Sequence, residues 1–162
     1  MGLQRRLLEK FPNTTMMAVT RRGTQTLNEL AVAALFNECE AVCTLKGDLE
    51  SNPANYDDTG HLKPARACVP LEVPCYVGMK LYITKNVNKA RDYINGMRCT
   101  LEHYDRACKA LIVMTETNHR LTIRPWTDVA FQQAFCPVRP GYASTVLKMA
   151  GTELPHAVLW LD

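Results

Sequence analysis

No stretch of this chain approaches the roughly 18 consecutive apolar residues that a membrane-spanning helix needs. The opening Met1-Gly2-Leu3-Gln4-Arg5-Arg6-Leu7-Leu8 is basic and then briefly apolar, but Glu9-Lys10 ends it too early for a secretory signal. Arg6 stands where a myristoylation signal needs Ser or Thr. A soluble, intracellular protein without a membrane partner is expected. Glycine is scarce: the eight glycines never gather ahead of a lysine, so the phosphate-cradling loop G-x-x-x-x-G-K-S/T is absent. G-x-S-x-G and H-E-x-x-H are absent as well, which removes the common hydrolase and zinc-protease constellations. No catalytic residue is assigned.

Cysteine is present in odd number, seven in all. Cys39 and Cys43 have half the spacing of a zinc site, but no second Cys/His pair follows, and His61 and His103 stand alone. Buried free thiols in a reducing compartment are the expected reading. Asp57-Asp58 has no partner carboxylate in register and reads as a polar turn. No metal ligand is assigned.

What is there suits a packed domain: 162 residues, 47% hydrophobic and 22% charged, enough for one domain or a small domain carrying an insertion. The net charge of +3 is modest but unevenly spread. Lys80, Lys85, Lys89, Arg91, Arg98, Arg106 and Lys109 face only Asp92, Glu102 and Asp105 within one stretch. Such a stripe attracts phosphates or simply forms a solvated face.

Along the chain, residues 14–20 (TTMMAVT) are β-prone, Arg21-Arg22-Gly23 breaks the run, and Thr26-Leu27-Asn28-Glu29 has the form of a capping box. Leu27, Leu30, Ala31, Ala34 and Leu35 then follow at helical spacing. Strand, turn and helix in that order form the unit of an open α/β sheet. Residues 42–45 read as a short strand and residues 46–70, with SNPANYDDTG, Pro64 and Pro70, as a long surface loop. Short strands are expected at 80–84, 97–103, 110–116 and 120–125, with a hairpin turn at Asn118-His119. Their tight spacing argues a small antiparallel barrel. Residues 142–147 and 156–161 (HAVLWL) read as strands again, joined by a polar loop. The expected organisation is α/β over 1–40, a long loop and inserted β-barrel over 41–136, and a return to the α/β sheet over 137–162.

Two segments carry a family resemblance. Gly78-Met79-Lys80-Leu81-Tyr82-Ile83-Thr84-Lys85-Asn86, continuing to Tyr93-Ile94-Asn95-Gly96-Met97, resembles the strand and Asn-Gly turn leading into the Src-homology-3-like barrel of RecD/Pif helicases. Tyr142-Ala143-Ser144-Thr145-Val146-Leu147-Lys148-Met149-Ala150-Gly151-Thr152-Glu153-Leu154, followed by HAVLWL, is similar to the fifth motif of superfamily 1 helicases. Tyr142-Ala143, Thr145, Lys148, Gly151 and Glu153 match, whereas Leu147 stands in place of a histidine and Ala150 in place of a glutamine. The Leu27-Asn28 pair matches the helix that opens the second motor domain of that family.

The resemblance implies a partial RecA-like parallel sheet with an inserted small antiparallel β-barrel, the C-terminal part of an ATP-dependent DNA helicase. It implies single-stranded DNA contacts at Thr145, Lys148, Lys85, Asn86 and Lys89, the loop cations tracking phosphates beside Tyr82 and Tyr93. It implies nucleotide contacts at Gly151, Glu153 and Arg21. ATP and Mg²⁺ belong to the complete family enzyme, whose other motor domain supplies the phosphate loop. This chain alone is expected to bind neither and to be inactive as an ATPase. Read without the family, Thr145 is a strand residue, Lys148 a solvated lysine, Gly151 a turn glycine and Tyr82 a core tyrosine. A non-enzymatic nucleic-acid- or protein-binding barrel module is the alternative function.

Overall fold

The computed structural model describes residues 2–161; the end positions Met1 and Asp162 of the segments 1–40 and 137–162 lie outside the described residues. In chain order the elements are α1 (Leu3–Lys10), β1 (Thr14–Ala18), α2 (Arg21–Phe36), β2 (Cys43–Gly47), β3 (Leu71–Cys75), β4 (Lys80–Ile83), β5 (Arg98–Asp105), β6 (Ala110–Thr115) and β7 (Arg120–Ile123). They continue with β8 (Trp126–Asp128), β9 (Gln133–Phe135), β10 (Val138–Pro140), β11 (Ala143–Thr145), α3 (Val146–Met149) and β12 (His156–Trp160). These divide into two compact units, one of residues 1–39 with 141–162 and one of residues 40–140.

The first unit is a three-stranded parallel sheet in the order β11-β1-β12. The three strands read from the sequence as members of one motor sheet do share it. Parallel pairing demands crossovers, and the chain supplies one through α2 and the inserted unit and another through α3. Apolar Met16 and Ala18 of the central strand are buried, as are Leu27 and Ala31 of α2. Asn28 is buried beside them and bonds to the backbone of β11.

α2 begins earlier than the capping-box reading placed it. Thr20 is the N-cap, its hydroxyl accepting the Gly23 N–H at 2.9 Å, so Arg21-Arg22-Gly23 forms the first turn instead of breaking the chain. Glu29 accepts a bond from the Gln25 amide one turn back at 2.7 Å and caps nothing. The stretch from Tyr142 also differs in detail: β11 ends at Thr145 and α3 takes residues 146–149, where strand and loop were expected. α1 was not foreseen at all; Arg5 and Glu9, one turn apart, pair on its surface at 2.8 Å.

The second unit is antiparallel. A five-stranded sheet runs in the order β10-β4-β5-β6-β7, and two-stranded ladders form from β2 with β3 and from β8 with β9. Alternation follows burial: Leu111 and Val113 of β6 point inward with Leu121 and Ile123 of β7. The Asn118 turn takes φ 64°, the left-handed conformation that Asn tolerates, and closes β6 to β7 as expected. Gly96 ends the β4–β5 connection at φ 89°. Residues 48–70 are not a simple surface loop. Asn55 is wholly buried, its amide donating to the Leu49 carbonyl at 2.7 Å and the Val69 carbonyl at 2.8 Å while its oxygen accepts the Val69 N–H at 2.8 Å. Leu49 and Cys68 pack with Phe135 in a small apolar cluster edged by Phe131.

The cysteines are all free, but they are not uniformly buried: Cys39 and Cys108 are exposed and Cys43 is intermediate. No helix among the described residues is long and apolar enough to cross a membrane.

Candidate nucleic-acid interface

In the parallel sheet, Ala18 of β1 is level with Thr145 of β11. Both strands therefore end side by side, and the segments that leave them, Thr20-Arg21-Arg22 and Thr145–Lys148, start from the same carboxyl edge. In open α/β sheets this edge is where ligands gather, because helix N-termini and loop backbone donors point there. Thr145 caps α3, its hydroxyl accepting the Lys148 N–H at 3.3 Å. That bond turns the chain outward at Val146-Leu147, which are exposed, and leaves the Lys148 side chain on the surface. Arg21 and Arg22 are exposed in the first turn of α2.

Gly151 and Glu153 do not share that edge in the same direct way. Gly151 takes φ 78°, a conformation for which glycine carries no steric penalty, and no heavy atom comes within 4 Å of where a side chain would begin. Glu153 is exposed three residues ahead of His156, and His156 is level with Thr14 at the amino end of β1. The structure thus brings Arg21, Thr145 and Lys148 to one edge, whereas the chain through Gly151 and Glu153 returns toward the opposite end.

Lys85, Asn86 and Lys89 belong to the second unit, on the connection from β4 to β5. This connection is organised, and its order comes from its own side chains. The Asn86 side-chain oxygen accepts the Asn95 N–H at 2.9 Å, which closes the loop on itself. The Asn88 oxygen accepts the Ala90 N–H at 3.1 Å and caps the short 3-10 turn of Lys89–Arg91. Asp92 then takes φ 58°, and its carboxylate accepts from the Thr117 hydroxyl and pairs with His119 Nδ1 at 2.9 Å. Those bonds hold the Asp92 carboxyl below the usual carboxylate range, Thr117 first and His119 second. Arg91 adds a bond from its guanidinium to the Arg120 carbonyl at 3.2 Å. The basic loop is therefore docked on the β6–β7 turn. Lys89 is exposed, and the Lys85 ammonium lies 5.9 Å from the centre of the Phe135 ring. The turns at Asn95-Gly96 and Asn118 were legible in the sequence, and the docking of one on the other was not.

Tyr82 is not available to stack on a base. It is buried between two arginines in one cross-strand row, the Arg139 guanidinium 4.3 Å and the Arg98 guanidinium 5.9 Å from the ring centre. Tyr93 is half-buried, and burial raises its phenol to about 12. Trp126 lies on β8 at 38% exposure, so it is no core residue. Asp57 is the polar turn anticipated, its carboxylate accepting from the Thr59 N–H and hydroxyl and from the His61 N–H. Among the described residues no group of three His, Cys, Asp or Glu side chains is placed to hold a metal ion.

No family model and no curated protein matches the sequence. Solved structures do match the fold. The Pif1 helicase from Candida albicans aligns over 94% of this chain with a TM-score of 0.63 at 12% identity. The Bacteroides Pif1 bound to single-stranded DNA aligns over 90% with a TM-score of 0.58 at 13% identity. A structure described as two Pif1 helicases coordinating DNA unwinding at forked duplex aligns over 96% with a TM-score of 0.60 at 12% identity. The chain shares its fold with part of the Pif1 helicases. It spans 39%, 34% and 35% of those three chains. The likeness includes both units, since an alignment over nine-tenths of the chain cannot omit either.

Proposed function

We propose that this chain is the C-terminal portion of an ATP-dependent DNA helicase of the Pif type, contributing single-stranded DNA contacts and one side of the ATP cleft. The observation that carries the reading is the interrupted sheet: β1 and β11 are neighbours in space, separated in sequence by an antiparallel insertion, in the fold shared with Pif1 helicases. Thr145 and Lys148 meet a strand phosphate from the carboxyl edge of the parallel sheet, the hydroxyl by hydrogen bond and the ammonium by charge. Lys85, Asn86 and Lys89 meet the strand from the docked loop, which is preorganised and so loses little freedom on binding. Arg21 faces nucleotide from that same edge, and Gly151 and Glu153 belong to the segment that leads away from it toward the amino end of β1.

ATP and Mg²⁺ are held largely by groups this chain does not carry. The residues described here offer no Mg²⁺ cluster and the sequence no phosphate loop, so the N-terminal motor domain supplies both, in cis or in trans. Support for such a partner comes from β12, which is exposed along its length and presents Val158, Leu159 and Trp160. The antiparallel unit plays the part of the family's accessory barrel.

The test is binding of this chain to a fluorescent single-stranded oligonucleotide as salt is raised. Lys148→Ala and Lys85→Ala should each lower the slope of log affinity against log salt by about 0.7 to 1. Unchanged slopes in both variants would remove the DNA contacts. Affinity that depends on neither salt nor DNA would leave the binding-module reading with a protein partner.

A further inference from the structure

The β2–β3 ladder places two thiols face to face. Cys43 is the direct cross-strand partner of Cys75, and Leu45 and Gly47 follow on the same face opposite Val73 and Leu71. Direct antiparallel partners have Cα atoms about 4.5 to 5.5 Å apart, inside the range of about 4.4 to 6.8 Å that a disulfide spans. The Cys75 thiol donates to the Val73 carbonyl at 3.6 Å. Cys43 is partly exposed and Cys75 is fully buried, so a small oxidant reaches the pair through Cys43. Cys136 approaches both electrostatically, yet it occupies no opposing strand position. Cys99 has Leu81 and Thr115 as its cross-strand neighbours, and Cys68 packs with Leu49 and Phe135.

We propose that Cys43 and Cys75 are a thiol pair that a hydroperoxide converts to a reversible cross-strand disulfide. The Cys43 thiolate attacks one peroxide oxygen, the O–O bond breaks, and hydroxide leaves to take up the proton Cys43 had released. The Cys75 sulfur then attacks the Cys43 sulfenic acid, the S–O bond breaks, and water departs with the Cys75 proton. Two thiols lose two electrons and, for hydrogen peroxide, two waters form. The product cross-links β2 to β3 at the end of the ladder remote from residues 48–70, whose own base is the Gly47–Leu71 pair. Desolvation raises the Cys43 and Cys75 thiols; burial pushes the Cys136 thiol up to about 11. The pair is therefore slow at neutral pH, and its rate follows the thiolate fraction upward, about tenfold per pH unit below the Cys43 pKa.

The test treats the folded chain with hydrogen peroxide at pH 7, 8 and 9, blocks remaining thiols and maps the digest without reductant. A Cys43–Cys75 peptide that dithiothreitol dissolves, forming faster at each higher pH and retained in Cys136→Ser, is the expected result. Exposed Cys39 and Cys108 serve as internal controls that oxidant was present. Their oxidation without any Cys43–Cys75 linkage overturns the proposal, as does a linkage of Cys43 to Cys136 instead. Neither outcome bears on DNA binding, so this inference and the helicase reading fail separately.

Discussion

The Asn28 side chain completes the free edge of β11: its oxygen accepts the Tyr142 N–H at 3.0 Å and the Ala143 N–H at 2.9 Å, and its amide donates to the Ala143 carbonyl at 3.3 Å. Among the described residues β11 has β1 as its strand neighbour, and Asn28 serves buried backbone groups of Tyr142 and Ala143 from its side chain. One amide does here what a fourth strand would do. Asn28→Ala should therefore destabilise the chain by about 2 to 4 kcal/mol, since each orphaned buried donor costs about 1 to 3 kcal/mol. A urea midpoint that does not move would show that water takes over these bonds.

Asp92 should govern the order of the basic loop. Asp92→Ala removes the acceptor for both Thr117 and His119, and backbone amides over residues 86–96 should then exchange hydrogen faster, while strand β5 stays protected. Asp92→Asn keeps an acceptor and tolerates the left-handed φ, so it should retain most of the protection. The carboxyl is depressed in the folded chain, so docking is fully present above the ordinary Asp value of about 4 and weakens as pH falls through the lower folded value. Loop exchange that is the same at pH 3 and pH 6, after correction for intrinsic rates, would contradict this.

The interrupted α/β sheet was legible because its strands are short β-prone runs and its motif from Tyr142 to Glu153 fixes where the sheet resumes. The β4 to β7 strands were legible because alternation and Asn turns bound them. β3 was not, because Pro74 interrupts the run; it is tolerated since β3 pairs with β2 alone and an edge strand has a side that needs no N–H. The order within residues 48–70 was hidden for a different reason. A run such as SNPANYDDTG reads as solvent-exposed turn, and only tertiary structure shows that Asn52 and Asn55 turn inward to serve the backbone of Val69. The candidate site divides the same way: Thr145 and Lys148 carried a motif, while Asp92, Thr117 and His119 come together from distant positions that no spacing announces.

Gly47 is a position where the backbone leaves no room. A Cβ there would meet the Val73 side chain at 2.9 Å and the Val138 and Leu71 carbonyl oxygens at 3.0 and 3.2 Å. Carbonyls held in ladder bonds cannot yield as a flexible side chain can, and Asp48 N–H already binds the Val138 carbonyl. Gly47→Ala should cost about 1 to 3 kcal/mol through overpacking and lower the thermal midpoint by several degrees. Full retention of the midpoint would mean that β2 shifts away from the Val138 carbonyl at no cost.

Leu147 and Ala150, the two departures from the helicase motif, are surface positions, Leu147 at 86% exposure. Neither residue is held by packing, so the fold does not require the departures and would not resist their reversal. The double substitution Leu147→His and Ala150→Gln should change stability by no more than about 0.5 kcal/mol, the usual span for surface sites. Its effect belongs to binding. A histidine and an amide beside Thr145 and Lys148 add donors at the proposed phosphate-facing edge, so affinity for single-stranded DNA should rise severalfold at low salt. If affinity is unmoved while Lys148→Ala still lowers the salt slope, the contact at this edge runs through the lysine charge and the Thr145 hydroxyl alone. If the double variant unfolds, the outward turn set by the Thr145 cap is not where the structure puts it.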